Sequence, residues 1–167
     1  GGMSRFLTTL SLVSFLLAGC VGDETEEINR LYQEAEDFFA KSEYRKAKAN
    51  MTRAYSAFER LKIQDKSDRV KYLRFLCNIS LELQENDKAI EYATAVSIHG
   101  LKDDDRGFAY NNIGGAYLHK GDYENAIEYF EKALAIQLKA LGAEHSDTGV
   151  AYSNIGVVYR KKGDYEN

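Results

Sequence analysis

The sequence predicts an all-α fold, an antiparallel helix-pair solenoid of about three and a half repeats. Two observations carry that prediction. First, Ala109 to Asn125 reads AYNNIGGAYLHKGDYEN, and Ala151 to Asn167 repeats it as AYSNIGVVYRKKGDYEN, twelve of seventeen positions agreeing at a spacing of 42 residues. Recurrence at that period marks one helical unit used again and again. Second, apolar residues return at three- and four-residue steps along most of the chain, the stripe of an amphipathic helix. Proline is absent from all 167 residues, so glycine, asparagine and aspartate must punctuate the helices.

The array is expected over residues 26–167, in pairs at about 26–64, 67–100, 104–142 and 147–167, the last incomplete. The first pair begins near Glu26, with Ile28, Leu31, Ala35 and Phe38 on one helix. After a weak turn at Ser42-Glu43, Ala47, Met51, Ala54, Phe58 and Leu61 mark its partner. A short connection between two such helices packs them antiparallel. In the second pair, Val70, Leu73, Cys77 and Leu81 precede a turn at Glu85-Asn86, and Ala89, Ile90, Ala93 and Val96 follow it. Ser67 or Asp68 is placed to cap this pair, and Gly100 to end it in the left-handed conformation. QENDKAIEY lacks the aromatic of KGDYENAIEY, which reads as a turn one residue shorter.

The third pair follows the acidic triplet Asp103-Asp104-Asp105, read as a helix cap because the spaced oxygen ligands of a calcium loop are missing. Ala109, Ile113, Ala116 and Tyr117 form its first stripe, Gly121-Asp122 its turn, and Ile127, Phe130, Leu134, Leu138 and Leu141 its second. A fourth first-helix runs to Lys162-Gly163, its face of Ala151, Ile155 and Tyr159 expected to be incompletely covered. That face offers a route to self-association.

The amino terminus has another character. Gly1 and Gly2 read as an addition ahead of Met3; Arg5 then precedes an apolar run from Phe6 to Leu17 that is too short to span a bilayer. These are the proportions of an export signal. Leu17-Ala18-Gly19-Cys20 resembles the lipobox of bacterial lipoproteins. The resemblance implies residues 1–19 as a cleaved signal, acylation of Cys20, residues 20–25 as a lipid-anchored tether, and a place in the bacterial cell envelope. Acyl chains bury enough methylenes to hold a helical domain at a membrane. With Cys20 acylated, Cys77 has no disulfide partner and is expected to be a core thiol.

The repeats resemble the tetratricopeptide family, in its longer 42-residue form seen in kinesin light chains and many bacterial proteins. Gly114, Tyr117, Gly121, Tyr123, Ala126, Phe130 and Ala133 carry the resemblance, with Gly156, Tyr159, Gly163 and Tyr165 in the next copy. Leu141 to Gly156 also looks like that subgroup's inter-repeat linker, with Ser146 where proline is usual. The earlier pairs match more loosely: Ala35 takes the place of Gly114 in the first, and Cys77 or Asn78 in the second. Small residues at these places let helices approach closely, and aromatic residues fill the space between them.

The resemblance implies a concave groove, lined by the first helix of each pair, that grips a protein or peptide. On that mapping Asn111, Gly115, Leu118 and His119 face the groove from the third pair, and Ser153, Val157, Arg160 and Lys161 from the fourth, with Tyr32, Glu36 and Phe39 weaker candidates from the first. Asn112 and Asn154 recur at one position, where they either contact peptide backbone or fix helix-to-helix contacts. The basic side chains of a chaperone-type carboxylate clamp are not assembled.

Composition and motifs exclude other classes. A net charge of −4 argues against a nucleic-acid partner. His99, His119 and His145 are scattered, and no CxxC, phosphate loop or GxSxG elbow occurs, so neither catalysis nor a metal nor a cofactor is expected. The reading is a membrane-tethered scaffold for protein–protein interaction. The alternatives are the sensory amino-terminal region of a longer signalling protein, or a cytosolic adaptor.

Overall fold

The computed structural model describes residues 4–100 and 102–166, with side chains for residues 22–100 and 102–163. The described residues form seven α-helices: α1 (Ser4–Ala40), α2 (Tyr44–Arg60), α3 (Lys66–Glu82), α4 (Asn86–His99), α5 (Asp103–Lys120), α6 (Tyr123–Leu141) and α7 (Ser146–Glu166). They divide into two compact units, residues 1–64 and 65–167. The side chains of the expected export signal and of Cys20, which follows it, lie outside those described, as does that of Tyr165. Among the described residues, no helix is long and apolar enough to cross a membrane.

In the first unit α1 and α2 pack against each other. Ile28, Leu31, Tyr32 and Ala35 are buried on α1, and Ala47, Met51, Ala54 and Phe58 on α2. The expected helix start near Glu26 is corrected: α1 runs unbroken through residues 20–25, and Glu24 accepts a hydrogen bond from Arg60 at 3.1 Å. Nothing in that acidic stretch breaks a helix, and Gly22 alone costs only about 1 kcal/mol. Tyr32 is buried, which removes it from the groove candidates.

In the second unit each helix packs on the next, from α3 through to α7, and α3 also meets α5. Asp65, rather than Ser67 or Asp68, caps α3, its carboxylate accepting from the Asp68 N–H at 3.0 Å. Gly100 is not left-handed, with φ −61°. Glycine is needed there for space, since a Cβ would lie 2.5 Å from Asp105 Cβ and 2.7 Å from the Val96 carbonyl oxygen. Asp105 in turn accepts from the Lys102 N–H at 3.4 Å, so the acidic triplet does open α5 as a cap.

The turns share one register. The N–H of Gln84 bonds the Leu81 carbonyl and that of Glu85 the Ser80 carbonyl; Gly121 and Asp122 do the same to Leu118 and Tyr117. Ser42 and Gln84 take the left-handed conformation, both at φ 59°, where the later repeat has Gly121 at φ 76°. The turn at Gln84 is therefore not shortened: Gln84 stands in for Gly121 and Asn86 for Tyr123. Counting back seven residues puts Cys77, not Asn78, in the place of Gly114. Gly163 holds the same register position, yet α7 continues through it to Glu166.

Candidate functional site

The third pair shows how the repeat is built. Asp122 caps α6, accepting from the Asn125 N–H at 3.2 Å, and sends that helix back along α5. Phe130 then lies over Gly114 so closely that a Cβ there would meet its ring at 2.8 to 3.0 Å. Tyr129 stacks on Tyr117, centroids 5.7 Å apart, and approaches Tyr110 at 6.0 Å. On its other side α6 carries α7: Ala126, Phe130 and Val158 form a buried cluster, with Tyr117, Leu118, Tyr123, Ile127 and Ile155 packed around it. Leu138 and Leu141, expected in the α6 stripe, are exposed; Ala126, Phe130 and Ala133 are the residues it buries.

Four of the polar groove candidates are occupied within the protein. The amide nitrogen of Asn154 donates to the Asn111 side-chain oxygen at 3.0 Å, tying α7 to α5. Asn112 does not join them; its amide nitrogen donates to the Phe108 carbonyl one turn back, at 3.0 Å. Ser153 does the same to the Gly149 carbonyl, also at 3.0 Å. In α3, Arg74 stands in the register position of Asn111 and reaches Asp104 at 2.8 Å and Asp105 at 2.9 Å. Its guanidinium lies 4.3 Å from the centroid of the Phe108 ring. Burial works against that charge, but the two carboxylates outweigh it and raise the pKa.

Four of the remaining candidates gather at the turn end. Leu118, His119, Val157 and Lys161 line a depression of about 660 Å³ together with Gln84, Asn86, Lys120, Gly121 and Tyr123. Gly115 has open space around it, and Arg160 is exposed on α7. The lining holds His119, Lys120 and Lys161 and no carboxylate. Lys120 reaches Asp87 at 2.5 Å, and that hydrogen bond raises its pKa. The side-chain oxygen of Asn86 is buried without a hydrogen-bond partner. Sequence reasoning missed Gln84, Asn86, Lys120 and Tyr123, because they belong to turns that only the stacking of pairs brings beside α5 and α7. The signal was present in the shared turn register, which aligns Gln84 with Gly121. Cys77 is buried, its thiol donating to the Ala89 carbonyl at 3.5 Å, and burial pushes its pKa up to about 12. It is a packing residue.

Residues 105–167 match the family described as tetratricopeptide repeat. No curated protein matches the chain. Among solved structures it is similar to the nearly identical TPR-like repeats of a kinesin light chain from Podosopora anserina (TM-score 0.69, 17% identity, covering 83% of this chain and 68% of that one). BtubC (BKLC) from P. vanneervenii aligns with a TM-score of 0.68 at 20% identity, over 89% of this chain and 66% of that one. The Sgt2 TPR domain from Aspergillus fumigatus aligns with a TM-score of 0.61 at 21% identity, over 84% and 82%. At these identities the likeness is one of fold.

Proposed function

We propose that this chain, which carries tetratricopeptide repeats over residues 105–167 and is helical in the same manner before them, is a protein–protein interaction scaffold that grips an acidic peptide segment in the depression at its α5–α6 turn. The observation that carries the reading is the lining itself. Lys161 and His119 stand there with Lys120, which pairs with Asp87 outside the lining, and the lining itself holds no carboxylate, in a chain whose overall charge is −4. A local cationic surface on an acidic protein favours an acidic partner and rejects a second copy of the acidic protein.

Selection from a random peptide display on the purified chain tests this. Enrichment of Asp and Glu, lost in a His119→Glu/Lys161→Glu double variant, is the expected result. Peptides without an acidic bias, or ones the double variant retains, would refute the reading.

The anchoring half of the proposal rests on Leu17-Ala18-Gly19-Cys20 alone. A lipid on Cys20 would hold the scaffold and its captured partner at the envelope membrane. Intact-mass analysis of the chain isolated from bacterial membranes should return an acylated Cys20 terminus. A terminus at Met3 or Gly1 without lipid would remove the anchor.

A further inference from the structure

The amino-terminal end of α5 carries a cavity of another character. Gly107, Phe108, Ile136 and Leu141 form its apolar walls, Asp103, Asp104 and Asp147 its rim, and its volume is about 70 Å³. The walls and rim come from α5, α6 and the first turn of α7, which pack on one another. It lies about 20 Å along α5 from the depression at the turn end. Gly107 is what opens it. Fourteen residues ahead of Ser42, Gln84 and Gly121 stand Ile28, Val70 and Gly107, and the first two are buried side chains. The third pair thus lacks the β-branched residue that the earlier pairs put into the core. Neither the backbone nor a neighbour asks for glycine here: its φ is not positive, and a Cβ would meet only Ile136 Cγ2, at an ordinary 3.8 Å. Glycine weakens a helix interior, and what it leaves in return is room beside Phe108, Ile136 and Leu141.

The charge around that room has one sign. No lysine, arginine or histidine lines the cavity. Asp103 pairs with Arg106, and Asp104, 75% exposed, shares Arg74 with Asp105; exposed pairs of this kind are weak enough to be shared with a further cation. Asp147 has only His145 near it, at 3.8 Å. Gln137 also lines the cavity, and its side-chain oxygen is buried without a hydrogen-bond partner. Among the described residues no group of carboxylates, histidines and cysteines is placed to hold a metal ion, so the ligand this lining suits is an organic cation on an apolar stem. We infer that the cavity receives an arginine side chain from a partner protein, its methylenes against Phe108, Ile136 and Leu141 and its guanidinium at Asp147 and Asp104. Arginine carries five N–H donors and no acceptor, the complement of a lining of acceptors. Its stem is apolar and its head stays at the wet rim, so neither part is buried against its chemistry. The site stands apart from the acidic-peptide reading: the two surfaces have opposite charge and lie at opposite ends of α5.

The test is an amide NMR titration of the full chain with Nα-acetyl-argininamide. Saturable shifts centred on residues 103–108, 136–141 and 147 are expected. Gly107→Val restores the residue type of Val70 and alters no charge, so it separates the cavity from general attraction to an acidic surface; it should weaken the probe about tenfold or more. The citrulline analogue, of the same shape without the charge, should bind about tenfold more weakly or worse. Asp147→Asn, at a side chain 61% exposed, should weaken the probe severalfold, and it carries the test if circular dichroism shows that Gly107→Val disturbs the fold. Binding that a folded Gly107→Val chain or the Asp147→Asn chain leaves unchanged would overturn the inference. Equal binding of the citrulline analogue would do so too, as would shifts that spread over the acidic surface without saturating.

Discussion

Gly114 and Gly156 are the same residue in the same place of two repeats, and the structure assigns their replacement by alanine opposite signs. At Gly114 the new methyl would lie 2.8 Å from Phe130 Cδ1, 2.9 Å from Cε1 and 3.0 Å from Cγ. These are the atoms of a rigid, buried ring, and a flexible side-chain end could have yielded more easily. Overpacking of this kind costs roughly 1–3 kcal/mol. Against it stands the gain of about 1 kcal/mol from replacing glycine by alanine in a helix interior. Gly114→Ala should therefore lose about 1 kcal/mol on balance. At Gly156 the same methyl meets nothing within 4 Å, so only the helix term survives and the variant should gain about 0.5–1 kcal/mol.

Urea unfolding followed by circular dichroism measures both, and heating should separate their midpoints by several degrees. If the two variants shift in the same direction, the close approach of α6 to Gly114 is wrong. A Phe130→Leu background sharpens the test. With the ring gone, Gly114→Ala should become nearly neutral, a coupling that a generic helix effect would not show.

Two further predictions rest on single residues. Gln84 adopts φ 59° where the next repeat has a glycine, so Gln84→Gly should stabilise the second unit by about 0.5–1 kcal/mol, seen as a higher urea midpoint; a lower one would show that its side chain matters more than its backbone. Cys77, pushed up to about 12 by burial, keeps its proton in the folded chain at pH values where an unfolded thiol has lost it. Its contribution is complete below the ordinary thiol value of about 8.5 and declines as pH rises from there towards 12, by at most about 1.4 kcal/mol per pH unit. Between pH 8 and pH 10, on the order of the range needed, the chain should lose stability faster than Cys77→Ala. A thiol-reactive dye added to a Cys20→Ser chain should label Cys77 only on unfolding, and rapid labelling of the native chain would contradict its burial.

The residues themselves explain what could be read in advance. Helix identity was legible because Ala47, Met51 and Ala54, or Ala126, Phe130 and Ala133, repeat at helical spacing and nothing between them breaks a helix. Helix ends were less legible, because caps are decided by single hydrogen bonds. Asp65 captures the Asp68 N–H although Ser67 and Asp68 are equally able residue types. Of the α7 face expected to be incompletely covered, Tyr159 is exposed, whereas Ala151 is buried and Ile155 packs against α6, because contact with α6 selects Ala151 over Tyr152. The lining of the depression was least legible, because Gln84, Asn86, Lys120 and Tyr123 carry no motif and meet through stacking alone.

That last point bears on where recognition happens. The column of Arg74, Asn111 and Ser153, ten residues before Gln84, Gly121 and Gly163, was the natural place to look for ligand contacts on the first helices. Here the column serves the fold: Arg74 is held by Asp104, Asp105 and Phe108, Asn111 accepts from Asn154, and Ser153 bonds its own helix. Each of these groups would have to surrender a hydrogen bond to grip a peptide, at a net cost of about 1 kcal/mol apiece. His119 and Lys161 give up no such bond, and they stand eight residues further along than Asn111 and Ser153. Substituting Asn111, Asn112 and Asn154 by alanine should therefore lower the unfolding midpoint and leave acidic-peptide binding nearly intact, whereas the His119→Glu/Lys161→Glu double variant should do the opposite. The two sets of variants separate residues that hold the array together from residues through which it works.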